Sequence, residues 1–555
     1  MKHIIYILIA SLLLTSSSFS QSHSRHRDIK QFDINQIKAS LSNLGTLGFD
    51  PNITTWDQLR FRDYLTGSDL NGTGIVYAQG LWMLGKINGE KHASITEWNT
   101  HFSPGPIING QAAMLYNPLD SARYTIYKIN KDDDYNNPDY SNWPIDLGAP
   151  VDNNGNPLIK GDQTLWTAFN AADSTSLNYW KWFQPNNNLN LLPIEIQQLA
   201  FARNGDKKDN EDIFSNTIFF EYTIINKGNT DIDSAFIGFW TDIDFYSADL
   251  NPPAVDTVAQ VGYCWALSDT FYSFPPQRAP AAVGFTLIYG PSVPSAGQNS
   301  IFNGRYLSDH KNLPLTSFHG IDDDQAIFQP FNLAGSINDA WNMANGLKSD
   351  GTTNIDPSNG EVTKFQLSGD PITNQGWIYP KNFTGGGAGF VMFTGPFNLA
   401  VNDTQWIMIA LTPALGNDRL ESIKIMREKA MLLRSLPYDT LAYGTTPYKI
   451  DYIDTTNLPD IVESEIIPEQ LVLFQNFPNP FNPETTIKFG LPQQEHISLK
   501  IFDILGREVH TLLDEIKDEG TYRIKFGSFG LASGIYIYRI SSNNSSVSRK
   551  MIILR

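Results

Sequence analysis

The stretch Thr217-Ile-Phe-Phe-Glu-Tyr-Thr-Ile-Ile-Asn-Lys-Gly228 is crowded with β-branched and aromatic residues and ends in a turn-forming sequence. Such residues pack well on a pleated surface, so the stretch reads as a strand. Working outward, Ala235-Phe-Ile-Gly-Phe-Trp240, Ala281-Ala-Val-Gly-Phe-Thr-Leu-Ile-Tyr289 and Gln405-Trp-Ile-Met-Ile-Ala-Leu411 read the same way. Gly, Pro, Asn and Asp cut the chain between such runs from residue 46 to 415, and no fixed period repeats. Segments 131–163 and 290–325 read as long aperiodic loops. Residues 21–45 form a polar N-terminal segment, weakly helical from Asp33 to Leu44. One helix stands out. Leu420, Ile423, Ile425, Met426, Ala430 and Leu433 recur at near-helical spacing, and Asp418 with Glu421 makes a capping box at its start. The expectation is an all-β chain: a multidomain, β-sandwich-like body over 46–450, with room for two subdomains, and one helix on its C-terminal side.

The end of the chain repeats the pattern at smaller scale. Ile497, Leu499 and Ile501 alternate with Ser498, Lys500 and Phe502, and Tyr522, Ile524 and Phe526 alternate with Thr521, Arg523 and Lys525. Leu505-Gly506-Arg507 and Gly527-Ser-Phe-Gly530 sit between such runs, where turns need small or positive-φ residues. Pro478, Pro480 and Pro483 keep the opening segment out of a central strand. About seven short strands follow, which predicts a small, Ig-like antiparallel β-sandwich over 471–555. Before it, residues 451–470 carry six acidic residues and no Lys or Arg, and read as an acidic linker.

Specific motifs run through this tail in order. It opens Leu471-Val-Leu-Phe-Gln-Asn-Phe-Pro-Asn-Pro-Phe-Asn-Pro-Glu-Thr-Thr-Ile-Lys-Phe489 and continues through Ile501-Phe-Asp-Ile-Leu-Gly-Arg-Glu-Val509 and Gly520-Thr-Tyr-Arg-Ile-Lys-Phe526. It closes with Leu531-Ala-Ser-Gly-Ile-Tyr-Ile-Tyr-Arg-Ile540 and Lys550-Met-Ile-Ile-Leu-Arg555. The stretch resembles the type A C-terminal sorting domain of the type IX (Por) secretion system. That resemblance implies recognition by the outer-membrane translocon and its tail-processing machinery, tail removal and attachment to a surface lipopolysaccharide. It transfers no catalytic residue, because a sorting domain is an address.

The body also has a resemblance. Gly80-Leu-Trp-Met-Leu-Gly-Lys-Ile-Asn-Gly89, Gly161-Asp-Gln-Thr-Leu-Trp166, Tyr222-Thr-Ile-Ile-Asn-Lys-Gly228 and Gly369-Asp-Pro-Ile-Thr-Asn-Gln-Gly-Trp377 are similar to segments of large secreted proteins with the same tail, which are functionally uncharacterised. This implies one extended β-rich body over 46–440 and no reaction. Those relatives often carry an acidic, Gly-rich run after a Trp-x-Asp-x-Asp segment. Here Trp240-Thr-Asp-Ile-Asp244 is followed by Phe245-Tyr-Ser-Ala-Asp-Leu-Asn-Pro-Pro253, so that run is degraded.

The chain of 555 residues has 40 Lys and Arg against 58 Asp and Glu, a formal charge of −18. The tail holds ten basic and eight acidic residues, which leaves 30 against 50, or −20, for the rest. An acidic body argues against nucleic acid and anionic lipid as partners, and suits divalent cations. Cys264 is alone, so no intramolecular disulfide exists. It lies in Gly262-Tyr-Cys-Trp-Ala-Leu267, which reads as a strand, so it is expected to be a small buried hydrophobe. At the other end, Lys2 and His3 precede an apolar run from Ile4 to Leu14 and a small-residue stretch from Thr15 to Ser20. This reads as a signal peptide over 1–20, cut before Gln21. The run is too short to span a bilayer, and no later stretch matches it. The expected route is Sec export to the periplasm, then type IX translocation to the cell surface or beyond, with no transmembrane span in the mature chain.

Candidate chemistry is sparse. Gly80 to Ile87 reads Gly-x4-Gly-Lys-Ile, but a phosphate loop needs Ser or Thr where Ile87 stands. Gly385-Gly-Gly-Ala-Gly389 opens no helix and reads as a turn. No His-Glu-x-x-His or Gly-x-Ser-x-Gly occurs, and His23, His26, His92, His101, His310 and His319 are scattered at no ligand spacing. Calcium is the better metal candidate, because hard oxygen donors suit it. Asp242 and Asp244 lie two apart on a strand and share a face. Lys131-Asp-Asp-Asp134, Asp152-Asn-Asn-Gly-Asn156 and Asp322-Asp-Asp324 cluster further oxygens, though solvated turns have the same composition. Trp166, Trp180, Trp182 and Phe183 lie close in sequence, followed by Asn186 to Asn188 and Asn190, and offer a sugar-stacking platform if exposed. Core aromatics are the competing account. The leading expectation is a non-enzymatic surface protein with a structural, adhesive or polysaccharide-binding role. The rival is an extracellular hydrolase, a glycosidase rather than a peptidase, using two loop carboxylates.

Overall fold

Thr217–Gly228 delivers its strand at Ile218–Asn226, in the middle of a large antiparallel sheet. In the computed structural model the described residues are 28–48, 59–61, 74–97, 100–174, 190–205, 212–243, 251–269, 281–322, 337–379, 388–444, 471–474, 476, 481, 484–504, 506–527, 531, 534–542 and 545–553. The segments read as signal peptide, 1–20, and acidic linker, 451–470, lie outside them. The chain divides into two compact units, Met1–Ile450 and Asp451–Arg555. No described helix is long and apolar enough to cross a membrane.

The first unit is built on two large sheets. One runs Tyr127–Asn130, Gln163–Asn170, Ile194–Ala202, Ile218–Asn226, Thr404–Ala414, Ala282–Tyr289, Val261–Cys264, Pro253–Asp256. The other runs Leu315–Asp322, Ala388–Leu399, Ile232–Asp242, Ala78–Ile87 and on through shorter strands that include Ile37–Ser42. Their apolar faces share one core. Ile218, Phe220, Tyr222 and Ile224 from the first meet Leu81, Met83, Ile237, Phe239, Phe390 and Met392 from the second. The Tyr222 and Phe239 rings stand 6.2 Å apart across it. Burying each such side chain contributes roughly 1.5–3 kcal/mol.

The outer faces are covered too, which explains why the strands read as nearly unbroken apolar runs. Phe201, Phe219, Trp406 and Met408 pack beneath Leu433, Tyr438 and Leu441 of the helices Arg419–Ser435 and Tyr438–Tyr443, and beneath Leu436 between them. Trp82, Phe236, Trp240 and Phe393 pack beneath Trp341 and Met343 of the helix Ile337–Ala344. The long helix begins as its sequence predicts. Asp418 accepts from the N–H groups of Leu420 and Glu421, both at 2.8 Å, and Glu421 accepts from Asn417 N at 2.5 Å.

Three expectations are corrected. Residues around Asp33–Leu44 are not helical: Ile37–Ser42 is a strand paired with Ile29–Phe32, and Ile37, Ala39 and Leu41 enter the core. The described part of the segment read as a loop over 290–325, residues 290–322, is not a loop. It forms the ribbon Ser292–Phe302 and Arg305–Asn312, then the strand Leu315–Asp322. Its ribbon is largely exposed, so no apolar alternation marks it. The single helix expected is joined by Ile337–Ala344, Tyr438–Tyr443 and shorter turns of helix. Cys264 is buried at the end of Val261–Cys264, as expected.

The second unit is a small sandwich. Val472–Leu473, Glu484–Leu491 and Gly520–Gly527 form one sheet; Glu508–Lys517, Glu495–Asp503, Gly534–Ser541 and Ser546–Ile553 form the other. Between them lie Ile487, Phe489, Ile497, Leu499, Ile501, Phe526, Tyr538, Ile540 and Met551. Ile497, Leu499 and Ile501 are buried while Ser498 and Lys500 are not, the period of two expected from sequence.

Candidate ligand-binding surface

Beyond the strand Tyr127–Asn130 the chain folds into consecutive turns fixed by short acidic side chains. Asp133 accepts from Asn130 N at 2.7 Å, Asn130 Nδ2 at 3.0 Å and Asn137 Nδ2 at 2.6 Å. Asp134 takes Asn136 N at 2.8 Å and Asn136 Nδ2 at 3.1 Å. Asn137 then caps the short helix Pro138–Ser141 by accepting from Asp139 N at 2.8 Å, with Pro138 at its first position, where its missing N–H costs nothing. This holds two aromatic residues in place: the Tyr135 and Tyr140 rings are 5.3 Å apart at 83°, edge to face. Tyr140 is half-buried, while Tyr135 is 69% exposed.

A second turn closes against them. Asp152 Oδ1 accepts from Asn154 N at 2.8 Å and Asn156 N at 2.9 Å, and Gly155 takes φ 83°, which an L residue adopts with strain. Tyr135 Oη donates to Asn156 Oδ1 at 3.3 Å. The backbone donors hold the Asp152 carboxyl below its ordinary range. Burial, then the neighbouring Tyr135, Asp152 and Asp134, push the Tyr140 hydroxyl up. The two turns whose Asp and Asn content stood out in the sequence therefore meet, around an aromatic pair that the sequence reading passed over. Nothing in one dimension places Tyr135 beside Asn156.

The chemistry available here is recognition. An exposed ring edge-braced by a second ring, with amide and carboxyl side chains around it, offers stacking and hydrogen bonding to a polyhydroxylated ligand. Burial raises the Glu97 carboxyl to about 8, but it is 1% exposed, and burial also pushes up Glu428 on the long helix, away from these turns in sequence.

The other sequence candidates fall elsewhere. Trp166 is 2% exposed, packed among Tyr127 and Trp143 at 6.4 and 6.3 Å, so it presents no free face. Trp180, Trp182 and Phe183 lie outside the described residues. Asp242 is buried at the end of Ile232–Asp242, where its carbonyl accepts from Tyr77 N at 2.9 Å. Asp244 lies outside the described residues. Among those residues no group of three or more His, Cys, Asp or Glu is gathered to hold a metal ion. Gly80 to Ile87 is strand, and a side chain at Gly80 would collide with Thr96.

Residues 475–554 match the family described as the secretion system C-terminal sorting domain. The tail is therefore a type IX sorting domain, which implies interaction with that secretion machinery and export to the cell surface or the extracellular space. No curated protein matches the chain.

Proposed function

We propose that the body is a carbohydrate-binding protein of the cell surface, which the sorting domain delivers there. The observation that carries this reading is Tyr135, 69% exposed and braced by Tyr140 between two Asp- and Asn-rich turns. A ring held edge to face by a second ring keeps a face open for stacking on a sugar, with amides and carboxylates beside it to bond the hydroxyls. The excess of acid in the body matches a neutral rather than a polyanionic glycan. The signal-peptide reading of 1–20 is part of this proposal, since it brings the chain to the periplasm. Calcium at Asp242 and Asp244 is an accessory to this reading, with Asp242 buried at the end of its strand.

Incubating residues 21–460 with a polysaccharide panel, with and without calcium, tests the reading. Retention without product release is expected. Release of shortened sugars would replace it with hydrolysis, and absence of retention on every polysaccharide would remove it.

A further inference from the structure

On the buried face of the helix Arg419–Ser435, between Met426 and Leu433, stands Lys429, 2% exposed. Its Nζ touches Asn216 Oδ1, donates to Asn216 O at 3.0 Å and reaches Pro413 O at 3.2 Å. Among the described residues no carboxylate lies within ion-pair distance of it. Asn216 is 5% exposed and closes a turn tied down on several sides. Ser215 N and Oγ donate to Asp212 O at 3.1 and 2.7 Å, Phe214 N to Asp212 Oδ1 at 3.2 Å, and Asn35 Nδ2 to Thr217 O at 2.9 Å. Asp212 is fully buried.

We propose that Lys429 and Asn216 are a site of self-modification, where the two side chains join as an intramolecular isopeptide bond. In this step Nζ attacks Cγ of Asn216, a new Cγ–Nζ amide bond forms, and the Cγ–Nδ2 bond breaks. Nδ2 departs as ammonia, carrying the proton that Nζ gives up. Nothing is oxidised or reduced, and no co-reactant enters.

Three features serve this step. The nucleophile must be a neutral amine, and burial drives Lys429 well below its ordinary range, so the proton is held weakly. Nζ already touches the oxygen of the Asn216 amide, one bond from the carbon it would attack, and this placement lowers the entropic barrier to a slow amide exchange. Asp212 is the carboxylate whose charge acts on Lys429, and it is assigned here as a positioning group for the amine, which passes its proton directly to the leaving nitrogen. The bond would tie the turn that leads into the strand Ile218–Asn226 to the long helix across 213 residues of sequence. In a chain with a single cysteine, it would supply a covalent staple that needs no oxidant.

The test is peptide mapping by tandem mass spectrometry on the purified full chain. A branched peptide joining the Asn216 and Lys429 segments is expected, and an intact mass one ammonia lower than sequence. The mass deficit alone does not decide, because an N-terminal glutamine or an asparagine that cyclises loses ammonia too. The deficit must vanish in Lys429→Arg, which keeps a cation but removes the nucleophile. Separate linear peptides carrying unmodified Asn216 and Lys429 would overturn the proposal. That result needs no variant, so a folding defect in Lys429→Arg cannot obscure it. A branched peptide formed as completely in Asp212→Asn would remove Asp212 from the step.

Discussion

Lys160 Nζ lies 2.6 Å from Glu221 Oε2 beneath the helical layer, with the two side chains 2% and 4% exposed. Tyr438 Oη donates to the other oxygen, Glu221 Oε1, at 2.8 Å, and the Lys160 ammonium sits 5.4 Å from the Tyr438 ring centre. One acidic residue in the central strand is thereby neutralised from a loop and capped from a helix. Removing one ion of a buried pair leaves the other uncompensated, at a cost of about 3–5 kcal/mol. Lys160→Met should therefore lower the denaturant midpoint severely. The double variant Lys160→Met, Glu221→Gln should recover most of the loss, because it removes both charges and keeps an acceptor for Tyr438. Equal midpoints for the single and double variants would show that the pair is not coupled.

The cap of the long helix makes a milder prediction. Asp418 satisfies two N–H groups that have no partner inside the helix. Asp418→Ala should cost about 1 kcal/mol in chemical unfolding, and Asp418→Asn much less, since an amide oxygen still accepts. An Asn variant as damaged as the Ala variant would point to charge rather than to the hydrogen bonds.

These residues also show what could be read in one dimension. Asp418 and Glu421 act locally, within one turn, so their spacing announces them. Ile218–Asn226 is unmistakable because both of its faces are buried, under the second sheet and under helices. Asp33–Leu44 misled because Ile34, Ile37, Leu41 and Leu44 happen to recur three and four apart, while pairing with Ile29–Phe32 decides the outcome. Ile337–Ala344 has only two turns of helix, too few for a periodic pattern, and its buried Trp341 declares itself only against Phe236. Lys429 was invisible as a core residue because a lysine on a helix is ordinarily taken for its solvated face. Tyr135 carries no signal in one dimension because its setting depends on two turns, residues 131–137 and 151–157, that only tertiary structure brings together.

Two buried titratable groups pull stability in opposite directions with pH. Neither Glu97 oxygen has a hydrogen-bond partner among the described residues, and burial pushes its carboxyl from 4.5 to about 8. The folded chain therefore keeps a proton that the unfolded chain releases. Stability from Glu97 is fully present below 4.5 and is lost as pH rises toward 8. His319 behaves in reverse. Burial pulls it from 6.5 to about 4 while its Nε2 donates to Met343 O at 2.8 Å, so stability is lost as pH falls through that window. Glu97→Gln should flatten the decline in melting temperature between pH 5 and 8, which a pH series by differential scanning fluorimetry measures. An unchanged decline would mean that Glu97 is already ionised in the fold.

At the candidate binding surface, Tyr135→Ala should weaken retention on the bound polysaccharide by about tenfold, the equivalent of one stacking contact. Its melting temperature should not move, because the ring is largely exposed. Tyr135→Phe should retain most of the affinity and lose only the donor to Asn156. If Tyr135→Ala binds like the parent chain, the ligand surface lies elsewhere.

The sorting domain supplies the last prediction. Tyr538 Oη donates to Phe474 O at 2.7 Å and accepts from Asn476 N at 2.6 Å, so one buried side chain pins the opening of the domain to its four-stranded sheet. Burial raises that hydroxyl to about 12, so it remains a donor at any physiological pH. Deleting 471–555 should trap the protein in the periplasm, as read by cell fractionation and surface labelling. Tyr538→Phe should reduce surface display without abolishing it, since the seven-stranded core stays while the opening segment loses its anchor. The two variants separate the domain's presence from its shape. Normal display of the deletion would show that export does not run through this tail, and normal display of Tyr538→Phe would show that the pinned opening is not what the machinery reads.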